Sequence, residues 1–120
     1  MENSSEELNR CIERYKFKGF KFNGAWDDYY IDDKEITYPF FEKIASRNLI
    51  LVLHSGTDEP DKTHPWRVVR IAKNFPNLKI QMQHVGGVRK PGLYEAAIET
   101  AKEYKNVCFV SSEAVTLKQL

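Results

Sequence analysis

A chain of 120 residues is long enough to bury one hydrophobic core and too short to divide into two. Hydrophobic residues make up 42% and charged residues 29%, a globular rather than a disordered composition. With 18 Lys and Arg against 17 Asp and Glu the net charge is +1, so there is no basic field of the kind that nucleic acid or an anionic membrane surface requires. The longest apolar run, Leu49 to Leu53, is far too short to cross a bilayer. Cys11 and Cys108 have no metal-type spacing and no secretory leader ahead of them, so free thiols in a reducing cytoplasm are expected.

In chain order, Ser4 and Glu7 have capping-box spacing before Leu8, Cys11, Ile12 and Tyr15, which recur at helical intervals. Gly19 breaks that helix, and Phe20 to Asn23 alternates as a short strand does. Residues 24–33 form a polar and aromatic loop. Ile36, Phe40, Phe41 and Ile44 mark a second helix with Pro39 in its first turn. Leu49 to Leu53 has no polar face, which predicts a parallel strand buried on both sides. Pro65 opens a helix through Val68, Val69, Ile71 and Ala72, ended by Asn74 to Asn77. A strand from Leu78 to His84 follows, then a helix from Pro91 through Leu93, Tyr94, Ala97, Ile98 and Ala101. Val107 to Ser111 is the last strand, buried, and Val115 starts one more helix.

The order is αβαβαβαβ, and strand ends recur about every thirty residues, at Asn23, His54, His84 and Ser111 or Ser112, the length of a βαβ unit. This is α/β architecture with parallel βα repeats, as a doubly wound sheet or as part of a barrel. Periodicity does not choose between them.

His54 and His84 each end a strand just before a glycine-containing turn, at the edge where parallel α/β folds place their chemistry. Imidazole there serves as a metal ligand or a proton-transfer group. The plain alternative, a histidine capping its strand, is favoured for one histidine and disfavoured for two in equivalent positions. Lys21 shares the alternation phase of Gly19 and Asn23, which would aim its amine at the same place to orient an anionic substrate or, if carbamylated, to bridge metals, although a solvated strand-end lysine is the commoner case. Trp26, Tyr29 and Tyr30, interleaved with Asp27, Asp28, Asp32 and Asp33, suit either a pocket wall or packing over the rim. Asp58, Glu59 and Asp61 suit either substrate contact or solvation, and His64, before a helix-opening proline, reads as a loop residue. Ser111, Ser112 and Glu113 end the last strand, but no Gly-x-Ser-x-Gly elbow occurs, nor any P-loop or Gly-x-Gly-x-x-Gly.

Four segments together resemble the amidohydrolase 2 family of TIM-barrel metal-dependent hydrolases, which also contains aminocarboxymuconate-semialdehyde-type decarboxylases. They are Gly19-Phe20-Lys21-Phe22, Leu51-Val52-Leu53-His54-Ser55-Gly56, Phe75-Pro76-Asn77-Leu78-Lys79-Ile80 and His84-Val85-Gly86-Gly87. The resemblance implies that residues 1–120 are a single partial TIM-barrel domain of about four βα units, roughly strands four to seven of a (β/α)8 barrel. It implies that His54 is a metal ligand and His84 a catalytic group or a second-metal ligand. The cofactor implied is a divalent metal ion, zinc first among them, activating water against a small carboxylate, amide or lactone-like substrate. Lys21, Asn23 and Trp26 are the expected substrate-binding residues.

The family's His-x-His pair and eighth-strand aspartate have no counterpart in this sequence, and one histidine does not supply the three or more protein ligands of a catalytic metal site. The metal is therefore expected to go unbound by this chain alone. Four units also leave open sheet edges and an uncovered inner face, so self-association as a homo-oligomer, or pairing with a missing barrel half, is expected. Gln81 and Gln83 conflict with this scheme, because an inward His84 at the strand end would turn both toward the helices. Two other readings stand beside it: a non-catalytic half-barrel or assembly module, and a small doubly wound binding domain using Gly86-Gly87 as an anion nest.

Overall fold

The structure is a computed structural model that describes residues 2–56, 58–84 and 90–111. The element order is α1 (Glu2–Glu13), β1 (Gly19–Phe22), α2 (Tyr38–Ser46), β2 (Ile50–Leu53), α3 (Pro60–Thr63), α4 (Pro65–Asn74), β3 (Lys79–Met82), α5 (Pro91–Glu103) and β4 (Val107–Phe109). Ser112, Glu113, the Gly86-Gly87 turn and the helix expected from Val115 lie outside the described residues.

All four strands are parallel and lie in one sheet in the order β1-β2-β3-β4. A doubly wound sheet reverses its strand order at a switch point, whereas an arc of a barrel keeps consecutive strands adjacent, so this order excludes the doubly wound reading. Each pair is joined through a helical crossover, as parallel pairing requires.

One face of the sheet is covered. Leu51, Leu53, Ile80 and Met82 are fully or almost fully buried, and they form the core with Phe41 and Ile44 of α2, Val68 and Ile71 of α4 and Ala97 of α5. Phe22 meets Phe41 edge-on at 5.3 Å, and Phe75, just past α4, packs edge-on against Tyr38 at 4.9 Å. Asn106 satisfies the far end of the layer, its side-chain amide donating to the carbonyls of Phe75 and Leu78 at 3.1 Å each.

The other face is open. Lys21, Val52, Gln81 and Cys108 lie in register across the four strands, and all are exposed or half-buried. Ile50 retains 39% of its surface. The expectation that the Leu49 to Leu53 strand is buried on both sides is thus corrected, because helices cover one side only. Cys108 is likewise exposed rather than buried, since its parity puts it on the open face.

Several boundaries also shift. Helix α1 starts at Glu2, so Ser4 and Ser5 lie within it instead of capping it, and the Ser5 hydroxyl accepts from Lys43 Nζ on α2. Ile36 precedes α2 and is exposed. On α5 the buried side is Ala96, Ala97 and Thr100 rather than the stripe through Leu93 and Tyr94, because small side chains let this helix pack closely. Helix α3 is a single turn within an expected loop, entered by Glu59 at φ 42°. Among the described residues no helix is long and apolar enough to cross a membrane.

His64 is the N-cap of α4: its Nδ1 accepts a hydrogen bond from the Trp66 N–H at 3.1 Å. Only neutral imidazole can accept there, and burial, then the nearby Arg67 charge, lower its pKa from the usual 6.5. A base whose folded pKa lies below its unfolded value stabilises the fold fully above about pH 6.5, and that contribution is lost as pH falls through the folded pKa. The cap is worth about 0.5–2 kcal/mol. Urea midpoints of the wild type and His64→Asn, which keeps an acceptor but does not titrate, should therefore diverge as pH drops below about 6.5, with the wild type weakening more. Parallel midpoints at every pH would show that His64 does not cap this helix.

Candidate functional site

The carboxyl ends of β1, β2 and β3 open into one pocket of about 460 Å³, lined by Lys21, Asn23, Trp26, Asp27, His54, Asp58 and His84. Its size suits a small ligand. A larger groove of about 950 Å³ runs along the β1 flank between α1 and α2, but its walls are mainly Leu8, Phe17, Phe20, Phe22 and Phe40 and it contains no histidine. The smaller pocket is where both strand-end histidines converge with Lys21, Asn23 and Asp58.

Each side chain arrives there for a local reason. Lys21 points from the open face of β1 by strand alternation. Asn23 follows it by two residues, and its Oδ1 accepts from the N–H groups of Ala25 at 3.1 Å and Trp26 at 3.3 Å. This side-chain turn occupies the carbonyl oxygen of Asn23, leaving the amide N–H donors for a ligand. The turn carries Trp26 to the mouth of the pocket, where the indole is 80% exposed.

His54 follows Val52 by two residues, on the open-face parity of β2. Its backbone N–H donates to Phe22 O at 3.0 Å, which extends the ladder one residue past the strand. The imidazole side chain is buried, and its Nε2 lies 3.6 Å from Asp58 Oδ2. Ser55 Oγ donates to Gln83 O at 2.6 Å, tying the ends of β2 and β3 together just below the pocket.

His84 reaches the pocket by a different route. Gln83 N–H still donates to Leu53 O at 2.9 Å, but His84 has φ 59°, in the left-handed region that few residues other than glycine adopt. That one residue reverses the alternation. Without it His84 would share the parity of Met82 and face the helices; with it the ring stands 4.8 Å from that of His54, at 70°. The conflict over the glutamines disappears for the same reason: Gln81 is on the open face beside Val52, while Ile80 and Met82 fill the helix side.

The loop aromatics divide between the two roles open to them. Trp26 faces the pocket, whereas Tyr30 turns away and stacks under Arg67, whose guanidinium carbon lies 4.3 Å from the ring centre. Tyr29 is half-buried, and its phenol pKa is pushed up to about 12, chiefly by burial and next by Asp27, so it remains a neutral donor. Asp28 is paired with Lys62, which holds its carboxyl below the usual range. Asp61 accepts from the Tyr30 hydroxyl at 3.3 Å. Of the acidic residues in these two loops, Asp27 and Asp58 line the pocket. The sequence hint for Asp58 is its spacing of four from His54.

His64 lies at the start of α4 and does not line the pocket, and Ser111 is exposed beyond the end of β4. As a metal centre, the pocket is partial. His54 fits as one donor beside His84 and Asp58, yet among the described residues no group of three or more His, Cys, Asp or Glu is placed to hold an ion. A complete site takes three protein ligands or more.

The comparisons agree with this architecture. The chain is similar in fold to a dihydroorotase from Campylobacter jejuni, with 23% identity and a TM-score of 0.63 over 95% of this chain and 33% of that one. It is similar to the same degree, 23% identity and a TM-score of 0.63, to the 4-oxalomesaconate hydratase LigJ from Rhodopseudomonas palustris, over 91% of this chain and 38% of that one. It therefore spans a third to two fifths of the length of these solved structures. No curated protein matches the sequence significantly. The amidohydrolase family model matches residues 1–118. With consecutive parallel strands, helices on one face and histidines at the carboxyl edge, the chain belongs to the amidohydrolase family and forms part of its TIM barrel.

Proposed function

We propose that this chain supplies the central part of the active-site wall of a metal-dependent hydrolase or decarboxylase acting on a small carboxylate, amide or lactone-like substrate. The observation that carries the reading is the convergence of Lys21, Asn23, Trp26, His54 and His84 on one pocket at the carboxyl edge of a parallel sheet. The family is generally metal-dependent. A divalent ion, zinc first among the candidates, would polarise the substrate and make hydroxide available at neutral pH.

This chain's own residues have separable tasks. His54 contributes one ligand to the ion. His84, beside it on the next strand, transfers a proton to or from the substrate. Lys21 fixes an anionic substrate group by charge, Asn23 donates from its amide, and Trp26 shields the mouth. The remaining ligands come from the wall that covers the open face, provided by the rest of a barrel or by another copy of the chain. The two free cysteines fit a cytoplasmic setting.

A second reading, a half-barrel that keeps the fold without the chemistry, draws support from the absence of a complete ligand group among the described residues. Elemental analysis of the purified, dialysed chain separates the two. Near-stoichiometric metal that disappears in His54→Ala supports the metal-site reading; no metal in any sample supports the second.

Lys21 gives an independent check with malonate as the probe. Lys21→Met is expected to weaken malonate binding about tenfold, equivalent to roughly 1.4 kcal/mol, and to flatten its salt dependence. Equal binding by both proteins would remove Lys21 from the substrate site.

A further inference from the structure

Residues 23–37, which carry Asn23 and Trp26, and residues 58–64, which carry Asp58, are separate in sequence but fastened to each other and to α4. The carboxylate of Asp32 has only 6% of its side-chain surface exposed and is held at both oxygens, Oδ1 by Arg67 Nη1 at 2.9 Å and Oδ2 by Arg70 Nη1 at 2.8 Å. Arg67 also donates through Nε to the Asp61 carbonyl and stacks on Tyr30, whose hydroxyl donates to Asp61 Oδ2. Beside this cluster the Ile31 N–H donates to Lys62 O at 3.1 Å, a backbone bond between the two loops, and the Ile31 side chain is completely buried. Lys62 closes the far side by pairing with Asp28.

None of Asp32, Arg67 and Arg70 lines the pocket. Their effect on it is indirect. Charge-assisted bonds from two different guanidinium groups, one to each oxygen, fix the orientation of the Asp32 carboxylate as well as its position.

We propose that Asp32 and Arg67 are positioning residues for the pocket, joining its two loops into one pre-organised wall, so that Trp26 meets a ligand as part of a fixed rim and does not close over it as a lid. This rests on the reading of the pocket as the mouth of an active site, since only then does the rim govern a substrate. The gain from such an arrangement is that ordering is completed on folding instead of on binding.

The test needs no ligand, so its outcome is separate from whether the metal and substrate roles hold. Native-state amide hydrogen exchange is measured for Asp32→Asn beside the wild type, following Ile31 N–H between the loops and Ile80 N–H, which donates to Asn106 O at 2.8 Å in the sheet. In the Trp66→Phe background, fluorescence anisotropy reports Trp26 alone, as these are the two tryptophans of the chain. The expected result is exchange at Ile31 faster by about tenfold or more with Ile80 unchanged, together with lower Trp26 anisotropy. Exchange that rises equally at both amides, or an unchanged Trp26, would overturn the proposal, because a purely global loss of stability moves the whole fold together. Should Asp32→Asn fail to fold, Arg70→Gln removes the exposed partner alone. It should still accelerate Ile31 over Ile80, and no difference between the two amides would be equally fatal.

Discussion

Parallel pairing brings the carboxyl ends of neighbouring strands to the same edge, and the site depends on that constraint. Once β1, β2 and β3 are paired Phe22 to Leu53 and Leu53 to Met82, the residues that follow are neighbours whatever their separation in sequence. The ladder continues past the strands through His54 N–H to Phe22 O and Gln83 N–H to Leu53 O. Asn23, His54 and His84 thereby come to one place although they lie about thirty residues apart, the length of a βαβ repeat.

The sheet's two faces make different demands. On one, Leu51, Leu53, Ile80 and Met82 interdigitate with α2, α4 and α5 and supply the hydrophobic stabilisation. On the other, Lys21, Val52, Gln81 and Cys108 form a mixed row whose polarity would be out of place under a helix. A barrel needs this asymmetry, because its helices surround the sheet while the inner side chains meet one another across the axis. The open face and the pocket are continuous, since Lys21 belongs to both.

The rim is built on another principle. Backbone ladders place the histidines, but charge pairs and stacking place the loops: Asp32 between Arg67 and Arg70, Tyr30 against Arg67, Lys62 against Asp28. Exposed pairs of this kind contribute little to stability, whereas Asp32 is sheltered enough for its loss to leave a poorly solvated partner. The polar loops thus divide into residues that face the pocket and residues that hold the first group in place.

Read alone, the sequence determined the alternating α and β order, the helix starts at Pro65 and Pro91, and the strand-end positions of His54 and His84, because these follow from local periodicity and backbone chemistry. The motif resemblance supplied the family. Tertiary structure alone decided that one face of the sheet is open, so that Ile50 and Cys108 are exposed, since period-two alternation records that two faces exist but not which of them a helix covers. It alone decided the inward turn of His84, where a positive φ in a residue other than glycine breaks the alternation from which orientation was inferred. It also separated Trp26 from Tyr30 and Asp27 from Asp32, because which member of a polar loop finds an arginine depends on α4, more than thirty residues further along the chain.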